Sequence, residues 1–161
     1  MKILGVDPGI RGGLAIVLVN SGNGAQLIDA IDIPTVGMAA KERVDVTALR
    51  QWVLSHQPDH CLIERTQAMP KQGASSGFKY GCAVSAIEAA IVSCEVPLTI
   101  IEPTAWKKFH VLRGGNKESS RQRALQLFRA AHALFARKLD HGRAESALLA
   151  VYGERVLATT S

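Results

Sequence analysis

The chain has 161 residues, 47% of them hydrophobic and 20% charged, which is typical of one folded domain with its own core and excludes a disordered chain. No apolar run is long enough to cross a membrane, and no signal peptide is expected, because an acidic residue interrupts the short apolar run at the N-terminus. Lysine and arginine outnumber aspartate and glutamate by 19 to 14, and the net charge of +5 favours a polyanionic partner.

The N-terminal part of the chain predicts three strands that follow one another as a meander. Two apolar runs flank the turn Pro8–Gly13, and a third strand-like run ends at Pro34. Residues 34–44 are then expected to form a loop. From Val46 onward apolar residues recur at helical spacing, and Asp45 in front of them is a candidate helix cap.

The rest of the chain alternates strands with helices. The predicted segments are a strand at 60–64, a polar loop at 65–77, a buried helix at 78–95, a strand at 96–101, a short helix opened by Pro103, a helix at 117–130 capped by Asn116 and an amphipathic helix around 144–151. The order β-β-β-α-β-α-β-α-α gives a mixed sheet covered by helices, an α/β architecture. Because β-α-β crossovers are right-handed, the fourth strand is expected beside the first.

Acidic side chains stand where the first and fourth predicted strands end. Asp7 and Glu64 are each the first charge after an apolar run, and Asp140 and Glu145 flank the start of the last helix with His141 between them. A single carboxylate at a strand end is most often a cap or a solvated terminus, but clustered carboxylates repel one another unless a cation neutralises them. Such oxygen ligands suit Mg²⁺ or Mn²⁺, and two ions about 3.5–4 Å apart can activate water for phosphodiester cleavage. His141, on the same helical face as Glu145, is an alternative ligand.

The predicted helix at 78–95 is rich in small residues. They allow close packing against either the sheet or a second subunit, and the pattern does not separate these alternatives. The small residues are Gly81, Ala83, Ala86, Ala89 and Ala90. Phe78 is expected to pack under the preceding loop, and Trp52 and Trp106 are expected to be core anchors.

Four segments carry a resemblance to a known family. They are ILGVDPGIRGGLAIV, CLIERTQAMPKQGASSGFKYGCAVSAIEAAI, PTAWKKFHVLRGGNKESSRQRALQLF and LDHGRAESALLAVYG. Through them nearly the whole chain resembles the RuvC-type Holliday-junction resolvases of the ribonuclease H-like superfamily, most of all their phage-type relatives. The resemblance implies one ribonuclease H-like domain over residues 1–161, with a five-stranded mixed sheet of three antiparallel meander strands followed by parallel strands.

The resemblance also implies an activity and a set of metal ligands. Members are homodimers that cut paired strands of a four-way DNA junction symmetrically, using Mg²⁺ or Mn²⁺ at four acidic positions. Asp7 and Glu64 match the first two of these positions, and Glu145 stands where the family commonly has aspartate. Asp140 is favoured over His141 as the third group, although it lies five residues before Glu145, a wider spacing than the family's usual three.

Basic residues are concentrated between residues 107 and 123, with six lysines and arginines against one glutamate. By the resemblance, Lys107 and Lys117 match basic positions that face the scissile phosphate, while solvated surface lysines are the alternative reading. The further predicted DNA contacts are Lys79, Lys108, Arg113, Arg121 and Arg123 on phosphates, and Met69 as an apolar wedge or, equally, a residue folded onto the core.

Other classes of protein remain open on sequence alone. An actin-like ATPase or sugar kinase also holds phosphate in a turn between its first strands, but that fold needs two lobes and no second phosphate turn is apparent. A non-catalytic DNA-binding dimer, or a related nuclease acting on RNA–DNA hybrids or other branched DNA, fits the same pattern. Three cysteines without CxxC spacing are expected to be reduced thiols, and the implied location is the bacterial cytoplasm, or that of a bacterial host if a phage encodes the chain.

Overall fold

The computed structural model describes residues 1–20, 24–67, 73–112 and 116–158. The strands in these ranges are β1 (Lys2–Asp7), β2 (Gly13–Asn20), β3 (Gly24–Asp32), β4 (Thr35–Val36), β5 (Arg43–Val44), β6 (His60–Glu64) and β7 (Leu98–Ile101). The helices are α1 (Val46–His56), α2 (Ala74–Val92), α3 (Pro103–Phe109), α4 (Lys117–Leu127) and α5 (His141–Ala158), with 3₁₀ turns at Ala39–Lys41, Arg129–Phe135 and Lys138–Asp140.

The five longer strands form one mixed sheet in the order β3-β2-β1-β6-β7. β2 runs antiparallel to both β1 and β3, whereas β6 is parallel to both β1 and β7. Val6 lies opposite Ile63, so the next residue of each strand, Asp7 or Glu64, stands at the same edge of the sheet. The predicted fold class is confirmed, and so is the placement of the fourth long strand beside the first.

Both faces of the sheet are covered, which explains why β1 and β2 are continuously apolar. Because successive strand residues point to opposite faces, Ile3 packs in the same core as Leu148 of α5, while Leu4 packs in the other core with Ile87 of α2. Among the described residues, no helix is long and apolar enough to cross a membrane.

The structure differs locally from the sequence expectations. Residues 34–44 are not a plain loop, because β4 and β5 pair as a short antiparallel ribbon. α2 begins at Ala74, inside the predicted loop, since its first turn is polar and carries no apolar period. α4 ends at Leu127, because Phe128 leaves the helical backbone angles and a 3₁₀ turn follows.

Candidate active site

The end of β1 is fastened to the start of α5 through one buried serine. The Asp7 backbone N–H donates to Ser146 Oγ at 3.0 Å. That hydroxyl lies 2.7 Å from the carbonyl oxygen of Gly13 and 2.8 Å from that of Gly142. Ser146 thereby joins β1, β2 and the first turn of α5, and fixes where the Asp7 carboxylate stands.

Glycines let α5 approach the sheet this closely. A Cβ atom on Gly5 would overlap the backbone of Ser146, and one on Gly142 would lie 2.7 Å from the carbonyl carbon of Gly12. Both contacts are closer than a real Cβ atom tolerates, so only glycine fits at these two positions. The close approach brings Glu145, on the first turns of α5, toward Asp7 on β1.

Three carboxylates and two lysines act on one another at this edge of the sheet. Burial raises the pKa of Asp7 well above its usual value, and the charges of Glu145 and Glu64 raise it further. The charges of Lys117 and Lys107 act in the opposite direction but do not cancel the effect. The structure therefore brings together five of the six residues predicted to be catalytic.

Glu64 is held by its neighbours on α3. The buried Trp106 donates its indole N–H to Glu64 Oε2 at 2.6 Å, and Lys107 Nζ lies 3.8 Å from the same oxygen. The Lys107 ammonium also sits 5.0 Å from the centre of the Trp106 ring. Burial raises the pKa of Glu64, against the lowering effects of Lys107 and the Trp106 hydrogen bond.

The other side of the site is formed by α4 and α5. Lys117 Nζ lies 3.2 Å from His141 Nε2, and both residues line a cavity of about 350 Å³ together with Asp7. Glu145 Oε1 accepts a hydrogen bond of 3.1 Å from the hydroxyl of the buried Ser120. His141, the alternative ligand in the sequence analysis, thus lines the same cavity as Asp7.

Asp140 stands apart from this cluster, although the sequence analysis favoured it as the third acid. Its Oδ1 accepts hydrogen bonds of 3.0 and 2.7 Å from the Arg137 guanidinium, and its Oδ2 accepts the Arg137 backbone N–H at 2.8 Å. Burial alone would raise the pKa of Asp140, but the Arg137 hydrogen bonds and the charges of Arg137 and Arg143 outweigh it and lower that pKa. Its carboxylate therefore caps a 3₁₀ turn, and it is not among the groups that shift the pKa of Asp7.

The residues predicted to contact DNA differ in whether the structure leaves their side chains exposed or engages them inside the protein. Lys79 lines the Asp7 cavity, and Lys108 is exposed on α3. Arg121 is occupied inside the protein, donating to Glu118 and to two main-chain carbonyls. Arg123 is half-buried on α4. Met69 and Arg113 lie outside the described residues.

Sequence reasoning missed the part that four residues play in supporting the site. They are Trp106, Ser120, Ser146 and Tyr80, whose hydroxyl donates to the Pro8 carbonyl at 3.4 Å. Burial, followed by the charges of Asp7 and Glu64, raises the pKa of Tyr80. No local pattern marks such residues, since each acts through a neighbour that is distant in sequence.

The donor set suits a hard divalent cation. Within the described ranges, no three His, Cys, Asp or Glu side chains already converge tightly enough to hold an ion. Even so, three of the facing groups are carboxylates, and after burial it is the charges of Glu145 and Glu64 that raise the pKa of Asp7. A cation with oxygen ligands would relieve that repulsion, so the residues fit Mg²⁺ or Mn²⁺.

The strand order, with acids at the ends of adjacent parallel strands, is that of the ribonuclease H-like fold. The family model described as "Crossover junction endodeoxyribonuclease RuvC" matches residues 3–136, and the chain belongs to that family. The matched range includes Asp7, Glu64, Lys107 and Lys117 and ends before Glu145.

Named relatives agree with this assignment. The chain is 31% identical over 96 residues to proteins named "Crossover junction endodeoxyribonuclease RuvC" from Mycobacterium avium (strain 104) and from Mycolicibacterium paratuberculosis (strain ATCC BAA-968 / K-10). Each match covers 56% of this chain and 50% of the relative, so the chain spans about half the length of the curated relatives it matches.

Solved structures share the fold over almost the whole chain. RuvC of T. thermophilus in complex with Holliday junction substrate is similar with a TM-score of 0.73 at 22% identity, covering 99% of this chain and 96% of that one. The fowlpox virus Holliday junction resolvase is similar with a TM-score of 0.58 at 16% identity, and the match covers 100% of both chains. The yeast mitochondrial Holliday junction resolvase is similar with a TM-score of 0.62 at 16% identity, and the match covers 97% of this chain and 80% of the yeast chain.

Proposed function

We propose that this protein is a metal-dependent DNA endonuclease that resolves four-way junctions by symmetric paired cuts, and so serves DNA recombination and repair. The observation that carries the proposal is the convergence of three carboxylates and two lysines on one edge of a RuvC-family sheet. A non-catalytic DNA-binding protein would have no use for mutually repelling, partly buried acids, which are costly to maintain.

Asp7, Glu64 and Glu145 would hold the metal in this proposal, with His141 as the fourth group in place of Asp140. His141 is preferred because it lines the same cavity as Asp7, while both oxygens of Asp140 are engaged by Arg137. Metal dependence is general in the family, and we propose two Mg²⁺ or Mn²⁺ ions per site. When bound, such ions lower the pKa of a bound water and stabilise the charge of the leaving oxygen.

The two lysines act on the DNA directly. Lys107, on α3, and Lys117, on α4, bring positive charge toward Asp7 from two different helices and oppose the rise in its pKa. A phosphate over the carboxylates would be attracted by both, and its growing negative charge during cleavage would be stabilised. Lys79, which lines the same cavity, is placed to contact a neighbouring phosphate.

One face of α2 is exposed and suits a second copy of the chain. The stripe consists of residues at helical spacing, namely Phe78, Cys82, Ser85, Ala89 and Val92. The side chains at its two ends, Phe78 and Val92, are 74% and 60% exposed. The expectation that Phe78 packs under the loop is therefore wrong. Phe78 and Val92 lie equally far from Ser85 along the helix, so antiparallel packing on a two-fold axis at Ser85 would set Phe78 of one copy against Val92 of the other. Ala83 and Ala90 instead face the core.

A cleavage assay tests the proposed function. Four-way junctions, three-way junctions, flaps, linear duplex and RNA–DNA hybrid are incubated with the protein in Mg²⁺ and in Mn²⁺. We expect paired cuts at symmetric positions in the four-way junction and little cutting of linear duplex. Preferential cutting of the hybrid would favour the related-nuclease alternative, and tight junction binding without cuts in either metal would favour a non-catalytic protein.

Trp106→Phe is expected to keep the fold and lower cleavage by about 10–100-fold, the usual cost of losing the hydrogen bond that orients a metal ligand. The indole N–H to Glu64 is lost, while most of the apolar volume stays. Trp52→Phe is the matched control, because Trp52 donates its N–H to Asp29 at 3.1 Å, away from the site. The metal concentration at half-maximal rate is measured for both variants, and equal values would contradict a role for Trp106.

Asp140→Asn is expected to lower the free energy of unfolding by about 2 kcal/mol, the worth of hydrogen bonds to a charged group. Cleavage at a temperature where the variant is folded should stay near the wild-type rate, because Asp140 is engaged by Arg137. Urea unfolding and cleavage are measured on the same preparation. A stable variant that no longer cuts would restore Asp140 as the third acid.

A further inference from the structure

The ribbon of β4 and β5, with the turn between them, stands outside the main sheet and carries exposed apolar side chains. We call residues 35–44 the β4–β5 hairpin. Met38 near its tip is 83% exposed, and Val36 on β4 is 43% exposed. Single exposed apolar residues are common, but these two lie two residues apart on one hairpin and Val36 also lines a groove, which together suit a contact surface.

The hairpin is held in one shape. Gly37 has a φ of +90°, and a Cβ atom there would lie 2.6 Å from the Lys41 carbonyl oxygen. Ala39 has a φ of +50° and begins a 3₁₀ turn, and Val44 at the other end of the hairpin is buried in the core. A preset contact surface loses less conformational entropy on binding than a flexible one.

The hairpin is also tied to the turn that follows the Asp7 strand. The Arg11 guanidinium donates to both oxygens of Glu42, at 3.3 and 2.8 Å, and Thr35 Oγ1 donates to Glu42 at 3.1 Å. The Ile33 N–H donates to the Gly12 carbonyl at 3.2 Å, just before the hairpin begins. These contacts fix the position of the hairpin relative to the acidic cluster.

The charge around the hairpin suits a polyanion. Lys41 and Arg43 are exposed, and no hydrogen bond or ion pair to another described residue engages either side chain. The nearby acidic side chains already have partners: Glu42 is paired with Arg11, and Asp45 caps α1 by accepting the Ala48 N–H. The net exposed charge of the hairpin is therefore positive.

The groove beside the hairpin continues into the acidic cleft. It has a volume of about 580 Å³ and lies between the hairpin and α2. Ile10 and Lys79 line both this groove and the cavity that contains Asp7. Phe78 and Cys82 of the proposed α2 interface line the groove as well, so a second subunit on α2 would border it. A DNA strand whose phosphate sits over the acids would then reach the hairpin past Ile10.

We propose that the β4–β5 hairpin is a second DNA contact that holds an arm of the junction beside the cleft. Met38 packs against the faces of bases that are unstacked near the branch point, and Lys41 and Arg43 contact phosphates. This role rests on the proposed function, because it supposes branched DNA in the cleft.

Base stacking is tested with Met38→Ser and the matched control Leu54→Ser, whose leucine is exposed on α1 and lines neither the groove nor the cleft. Both are made in an Asp7→Asn background that leaves the DNA uncut. Junctions carrying 2-aminopurine at the branch point report unstacking by fluorescence. Met38→Ser should weaken junction binding by about 10-fold and reduce the fluorescence rise, while linear-duplex binding and the Leu54→Ser variant stay unchanged.

Phosphate contact is tested with Lys41→Ala combined with Arg43→Ala. The slope of log affinity against log salt should fall by about 2, one for each lost contact. An unchanged slope, or equal effects of Met38→Ser and Leu54→Ser, would overturn the hairpin proposal while leaving junction cleavage intact. A Met38→Ser protein that sediments as a monomer where the parent is a dimer would make the hairpin a subunit contact and also overturn it. Failure of the wild type to cut any junction would instead overturn the proposed function.

Discussion

Asp7→Asn abolishes junction cleavage, lowering the rate by on the order of 10³-fold or more, while junction binding stays within about twofold of the wild type. In the proposed function, cleavage needs the carboxylate that faces Glu64 and Glu145, whereas DNA binding depends on lysines and arginines that the substitution leaves in place. Single-turnover cleavage and equilibrium binding are measured on the same junction. A variant that still cuts in Mg²⁺ at a tenth of the wild-type rate would remove Asp7 from the proposed site.

The thermal stability of the same variant shows whether the Asp7 carboxylate binds metal or stabilises the folded protein. Because its pKa is raised in the folded protein, the metal-free wild type should lose stability as the pH rises from about 4, the unfolded value, through the raised pKa. Asp7→Asn removes that loss, so it should melt above the metal-free wild type at pH 7, by about 2–4 °C for each kcal/mol gained. Mg²⁺ should raise the melting temperature of the wild type only.

Ser85→Arg converts the protein to a monomer and removes paired cutting. Two arginines would face each other across the two-fold axis proposed for α2, and the dissociation constant should rise by on the order of 10²-fold or more. A monomer has one acidic cluster, so junctions should accumulate with one strand nicked. Sedimentation velocity and the ratio of nicked to resolved junctions are the measurements.

Ser55→Arg is the matched control for this substitution, because Ser55 is an exposed serine on α1, outside the proposed interface. Both variants should melt near the wild-type temperature. If Ser85→Arg remains a dimer and still resolves junctions, the α2 interface is wrong. If the wild type is itself a monomer while making paired cuts, the symmetric-dimer proposal fails as a whole.

The neighbouring positions of Asp7 and Glu64 could be predicted because they follow from chain direction. α1 lies between β3 and β6, and this crossover leaves β6 running in the direction of β3 and therefore of β1. Because the crossover is right-handed, β6 lies beside β1, and parallel neighbours end at the same edge. The helix caps were equally local: Asp45 and Asn116 each accept a backbone N–H within three residues of themselves.

The roles of Asp140 and His141 could not be predicted from spacing. A 3₁₀ turn over Lys138–Asp140 runs directly into α5, and it turns the Asp140 side chain back onto Arg137. Only the following residue, His141, then lies beside Lys117. Trp106 presented a similar difficulty, because its ring is a core anchor as predicted, but its N–H reaches a strand 42 residues away.

The tight seating of α5 on the sheet has a consequence for protein synthesis. Asp7 is synthesised well before Glu145, and the glycine contacts that bring them together exist only after α5 has docked. Before α5 docks, one face of β1 and β2 lacks the helix that covers it, and the acidic cluster lacks Glu145. A growing chain therefore has an incomplete carboxylate cluster until α5 has been made and has docked, and the proposed metal site forms in a single late step of folding.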